Sequence, residues 1–258
     1  MQITHLWYQF HLHRRKVGLF GALFFVTFLS GMAQEKTFIF NRSGSDDQFL
    51  SYGFFLAAHN SSLRIKYSES FLDPLNTDAS GVRSIMPVFS PGFALGFLVT
   101  ARLHDQFNIL FTPKVAFYEH RTDLQVFADD ANAPNGLGVS TVPLMSEETL
   151  VEFPLLFKYK SERFNNTRMF FVGGLNGQIR TKNQEEADED DVVLRGTDVA
   201  MEMGMGFDLY FKYFKFSPEI RFSHGLMNLH RPGYSDERID SSITDIRRKS
   251  ITIYFNFQ

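Results

Sequence analysis

From Phe49 to the last residue, large apolar side chains recur at every second position in runs of ten to twenty residues, which is the period of a strand and not of a helix. The clearest run sets Phe93, Leu95, Phe97, Val99, Ala101 and Leu103 on one face. Gly92, Ala94, Gly96, Thr100 and Arg102 occupy the other. The runs are separated alternately by long polar connections, at residues 68–86, 128–146, 181–197 and 228–245, and by very short turns near 104–106, 161–167 and 212–213. A strand with apolar residues toward lipid and small or polar ones toward a lumen, repeated with that asymmetry, is the pattern of an outer-membrane barrel. The expected fold is all-β: an eight-stranded antiparallel transmembrane up-and-down β-barrel over residues 49–258, with its interior filled by side chains.

The start of the chain is of a different kind. Arg14-Arg15-Lys16 precede an apolar run from Val17 to Leu29, and Ser30-Gly31-Met32-Ala33 follow. The run is short for a membrane span, and Gly31 and Ala33 supply the narrow side chains of a cleavage site, so residues 1–33 read as a signal peptide cut after Ala33. Residues 34–48 are polar and read as a periplasmic lead-in. Of 26 Lys and Arg, the three in the leader go with it; the remaining 23 face 29 Asp and Glu, a mildly acidic balance with no basic stripe for nucleic acid. Cysteine is absent, which excludes disulfides, thiolate catalysis and a lipid-attachment cysteine. The single Trp7 lies in the leader, so interface belts must be built from Tyr and Phe.

Along the runs, Leu63, Ile65 and Tyr67 alternate with Arg64 and Lys66. Ile109, Phe111, Pro113, Val115 and Phe117 share a face, as do Val151, Phe153, Leu155, Phe157 and Tyr159. Met201, Met203 and Met205 extend a stripe at spacing two, read as facing lipid rather than as a thioether metal box. Pro113, Pro154 and Pro218 inside these runs each cost a ladder hydrogen bond or mark a bulge. The final run, Ile251, Ile253, Phe255 and Phe257, resembles the aromatic-ended terminal strand read by the barrel-assembly machinery, with Gln258 following the aromatic.

The lumen-facing set contains Arg102, Lys114, Glu152, Lys158, Arg180, Glu202, Asp208, Glu219 and Arg221, close to balance in sign. Charges withdrawn from water require partners, so these nine form an expected ion-pair network. An embedded hydrolase would need His, Ser and an acid at the rim, for which His224 with Ser223 and His120 with Glu119 are the candidates; the structural reading of each is favoured. The acidic run Glu185 to Asp191 lacks the glycine turn and ligand order of a calcium loop and reads as solvated. No catalytic residue, cofactor or metal ligand is expected.

Tyr52-Gly53-Phe54-Phe55-Leu56-Ala57-Ala58-His59, Pro91-Gly92-Phe93-Ala94-Leu95-Gly96, and above all Leu150-Val151-Glu152-Phe153-Pro154-Leu155-Leu156-Phe157-Lys158-Tyr159-Lys160 resemble the PorT family of Bacteroidota outer-membrane barrels, called SprT in gliding bacteria. The resemblance implies a non-enzymatic component required for type IX secretion of cargo bearing C-terminal sorting domains, and of gliding adhesins in gliding species. It implies other secretion components as partners besides lipid. A stand-alone barrel of the OmpA or OmpX kind, serving adhesion or envelope integrity, is the other reading.

Overall fold

The computed structural model describes residues 48–72, 82–127, 139–181, 194–232 and 241–258. The expected signal peptide, most of the lead-in and the acidic run Glu185 to Asp191 lie outside the described residues. Ten antiparallel strands form one sheet: β1 (Leu50–Tyr67), β2 (Val82–Val88), β3 (Ser90–Arg102), β4 (Phe107–Phe111), β5 (Lys114–Phe127), β6 (Val139–Lys160), β7 (Thr167–Arg180), β8 (Thr197–Tyr210), β9 (Lys215–Gly225) and β10 (Ile243–Phe257). One short helix, α1 (Glu69–Leu72), follows β1, its first turn capped where the Phe71 amide donates to Ser68 Oγ at 3.2 Å. From β5 to β10 each strand pairs with the next in sequence, β3 pairs with both β4 and β5, and β1 pairs with both β10 and, over Leu50–Ser61, β3, so the sheet closes on itself there.

Two junctions explain why ten strands stand where a simple alternation implies fewer. Between β4 and β5 the register does not change: Phe111 faces Leu155 and Val99, and after Thr112-Pro113 the chain resumes with Lys114 facing Glu152 and Gly96. Pro113 has no amide hydrogen to give. Its carbonyl still accepts from the Phe97 amide at 3.0 Å, so the proline interrupts the ladder without bending the strand out of line. Between β2 and β3 the register does slip. Val88 faces Arg121 while Phe93 faces Phe117, so the β2–β3 side carries one residue more than β5 does, a bulge beside Phe89. Pro154 and Pro218 each sit in a continuous ladder on one side, opposite Asn176 and Phe255, and in a gap of the ladder on the other.

All the short turns and the C-terminal residue share one end. There the Lys215 and Gln258 backbones bond to each other at 2.7 and 2.9 Å. The Gln258 side-chain amide also donates to Ser51 Oγ at 2.6 Å and Thr100 Oγ1 at 3.0 Å, tying β10 to β1 and β3 across the seam.

The wall reverses polarity along its length. In the half nearer the short turns, Phe54, Leu56, Phe93, Leu95, Phe97, Phe157, Met203 and Phe255 point out and are exposed, and polar residues point in. In the half nearer the long connections Arg64, Lys66 and Arg121 are exposed, while Leu63, Ile85, Leu124, Ile243 and Ile246 are buried together inside, joined by Leu194 and Leu229 from the connections. Outside the bulge at Phe89 and the register shifts next to Val82 and Ile243, side chains keep the same phase, and what switches is the chemistry. The first half matches lipid outside, and the second matches water outside.

This reversal corrects the expected connection bounds. Residues 82–86, 139–146 and 243–245, expected in long connections, are strand residues of β2, β6 and β10. A reading that looks for apolar residues facing lipid stops where the wall emerges from the membrane, although the strands continue.

Candidate functional site in the barrel lumen

The lumen is filled by three polar layers under the apolar cap. Nearest the short turns, Lys158 on β6 pairs with Asp208 on β8 at 2.7 Å, and Ser217 on β9 donates to the same carboxylate oxygen at 2.6 Å. The Lys158 ammonium also lies 3.6 Å from the centre of the Phe170 ring, an aromatic face that stabilises a cation without adding a charge.

The middle layer is the most connected. Lys114 on β5 stands 3.0 Å from Glu152 and 3.8 Å from Glu202, and donates to the Tyr254 hydroxyl at 2.6 Å. The Tyr118 hydroxyl donates to Glu152 at 2.7 Å, and the Asn176 amide bridges Glu152 to Glu202, the latter at 2.7 Å. Arg221 on β9 forms an ion pair with Glu219, reaches Glu202 at 3.5 Å, and stacks 4.1 Å from the Tyr254 ring. Two cations thus serve three carboxylates, with neutral amide and phenol donors supplying the remaining hydrogen bonds. Such an arrangement is needed because each carboxylate is buried, and an unpartnered buried ion would cost several kcal/mol, roughly half of a domain's net stability.

The upper layer centres on Glu148 of β6, which pairs with Arg180 of β7 and Arg248 of β10 and lies 3.4 Å from His120 Nε2. Arg248 donates to Gln178 at 2.7 Å and stands 3.9 Å from Asp198; Arg180 donates to the Leu194 carbonyl at 2.7 Å, connecting this layer to the apolar cap. The His59 ring lies tilted against Tyr118, their centres 4.2 Å apart.

Of the nine charges expected in the lumen, Lys114, Glu152, Lys158, Glu202, Asp208, Glu219 and Arg221 lie in the two lower layers and Arg180 in the upper one. Arg102 does not join them. It ends β3 at the rim and pairs with Asp105 in the exposed turn, where its guanidinium holds the Asp105 carboxyl below the ordinary carboxylate range. Glu148, Arg248 and Asp198 belong to the network but were not among the expected nine. The signal was present: the alternation through Glu152 extends unbroken back to Leu150, Glu148 and Ser146, and that through Thr252 to Ser250 and Arg248.

The hydrolase candidates separate across the wall. Ser223 is buried on the lumen side of β9 while His224 points outward; His120 is buried inside while Glu119 is on the outer face. Adjacent strand residues face opposite ways, so neither pair can meet. Among the described residues no three His, Asp or Glu side chains are arranged to hold a metal ion. Among the described residues the lumen's cations and carboxylates are positioned for one another.

A family model described as "Outer membrane protein beta-barrel domain" matches residues 32–231. No curated relative matches the chain in sequence. Solved structures similar to it include the outer membrane protein OprG from Pseudomonas aeruginosa, 10% identical, covering 80% of this chain and 94% of that one with a TM-score of 0.38. Neisserial surface protein A is 9% identical over 81% of this chain and 98% of its own, with a TM-score of 0.40. The outer membrane protease OmpT from Escherichia coli is 10% identical over 81% and 95%, also at 0.40. With the family model spanning most of the chain over a closed barrel whose apolar belt faces outward, the chain belongs to the outer membrane protein β-barrel domain family and is an integral protein of the outer membrane.

Proposed function

We propose that this barrel is a non-enzymatic subunit required for type IX protein secretion, acting through its outer surface and connections rather than through its lumen. The ten strands run as eight passes, because β2 with β3 and β4 with β5 lie end to end along common partners. The long connections face the cell exterior, and the short turns, with the start of β1 and the end of β10, face the periplasm. The observation that carries the reading is the filled lumen: among the described residues, three layers of paired charge lie beneath a buried apolar cluster. A component of this shape contributes by holding partners. The specific system comes from the resemblance of the segments in β1, β3 and β6 to the PorT family. The β6 segment supplies Glu152 and Lys158 to two of the lumen layers.

A clean gene deletion, followed by mass spectrometry of the medium, cell surface and periplasm, tests this. Retention of proteins with C-terminal sorting domains in the periplasm, reversed by the wild-type gene, is the expected result. An unchanged secretome with a surface or envelope defect sinks it and leaves a stand-alone barrel of the OmpA or OmpX kind.

A further inference from the structure

One sector of the outer wall carries cations that the network inside does not use. On the outward face of β1, Arg64 and Lys66 are exposed. The β1–β10 register sets Arg64 directly opposite Arg247, Ser62 opposite Lys249 and Lys66 opposite Asp245. On the other side of β10, Lys249 faces His224 of β9, and its ammonium reaches across to lie 5.2 Å from the Phe89 ring at the β2–β3 bulge. Four cationic side chains and an imidazole therefore share one patch, with Asp245 as the acid on it, bonded to Arg247 at 2.8 Å.

Two features make this more than a solvated charged face. Like charges directly opposite on a sheet destabilise it, and among the described residues of the patch only Asp245, bonded to Arg247, offsets four cations, a surplus that a further anion beside Arg64 would relieve. The height is also specific. Immediately below the patch, on the same strands, Ala58, Ile251, Ile253 and Phe222 face lipid. The cations thus stand where hydrocarbon gives way to headgroups. The same height on the opposite side of the wall has reversed polarity, with Glu119 directly facing Glu147 across β5 and β6. A barrel held at one level by nonspecific interface charge has no need of such a division.

We propose that the β9–β10–β1 patch is a binding site for phosphate groups, presented at headgroup level, with Arg64 and Arg247 as the principal ligands and Lys249 and Lys66 as flanking charges. Guanidinium forks match phosphate oxygens in bidentate fashion, and two of them facing each other form a clamp whose mutual repulsion the anion removes. The lysines add charge without fixed geometry.

The test uses the full folded barrel in neutral detergent, followed by native mass spectrometry. The probes are bis-phosphorylated lipid A, the same lipid after enzymatic removal of its phosphates, and inorganic phosphate as competitor. This choice of lipid rests on the orientation given under the proposed function; the deletion experiment tests the secretion role separately, so the two can fail independently. Wild type is expected to retain the phosphorylated lipid over the dephosphorylated one. Arg64→Ala with Arg247→Ala weakens that binding about 25-fold, at about fivefold per charge removed. Lys249→Gln alone weakens it about fivefold. Arg121→Ala, on β5 and outside the patch, leaves it unchanged and controls for general loss of surface charge. Displacement of the lipid by millimolar inorganic phosphate assigns the site to the anion itself. Retention of the lipid against that competitor assigns it to the headgroup. Equal binding of both lipids, or wild-type binding by the double variant, overturns the site.

Discussion

Replacing Lys114 by methionine keeps the length of the side chain and removes the charge that stands 3.0 Å from Glu152 and 3.8 Å from Glu202. Two buried carboxylates then share the remaining cation, Arg221, which is already paired with Glu219. The expected cost is about 3–5 kcal/mol, the range for breaking a buried pair by deleting one partner. Urea unfolding of the refolded barrel, followed by intrinsic tyrosine fluorescence, measures it. The double change Lys114→Met with Glu152→Leu is expected to recover a substantial part, because it removes a stranded charge instead of creating one. A single variant within about 0.5 kcal/mol of wild type would show that the layer is wet enough to solvate the carboxylates. Most residues of these layers were legible by simple counting along each strand. Their pairings were not, because Glu152 finds Lys114 and Asn176 from neighbouring strands on either side, and one strand's alternation says nothing of which neighbour's polar residue stands level with it.

At the scale of elements, the close approach of β6 and β7 at Gly174 is a constraint that one added atom tests. A methyl group there would stand 2.2 Å from the Leu155 carbonyl oxygen and 2.8 Å from the Leu156 Cα, both backbone atoms that cannot swing away. Gly174→Ala is expected to part the two strands locally and cost about 1–3 kcal/mol, with faster amide exchange at residues 153–157 and 173–176. Gly177, where a methyl group meets nothing within 4 Å, is the control and is expected to tolerate alanine. Element ends were the least legible part of the fold. Val139 to Ser146 looked like a connection because Thr141, Pro143 and Met145 on its outer face make no continuous apolar stripe, and only the apolar residues packed beneath them, Leu124 and Leu144 among others, show that the strand continues above the membrane. The β4–β5 interruption was legible as Pro113; that the register survives it was not, since this depends on Phe97 still donating to the proline carbonyl.

For the whole molecule, the packing of the lumen by the described residues carries a prediction about conduction. Purified barrel reconstituted into a planar bilayer is expected to give no stepwise conductance, and steady unitary steps would contradict the packing of Leu194, Leu229 and Ile246 across the upper end. What the sequence by itself determined is the chemistry of each face: a two-residue period with large apolar groups outward and small or charged ones inward requires a closed antiparallel sheet in lipid, because an open edge would leave backbone groups unpaired in hydrocarbon. What only the tertiary structure decided is which faces meet. Closure between β1 and β10 places Arg64 opposite Arg247, and the curvature of the wall brings Glu148, Arg180 and Arg248 from three strands to one point. Contacts between residues this far apart in the chain are set by register and closure, and a single strand's pattern carries neither.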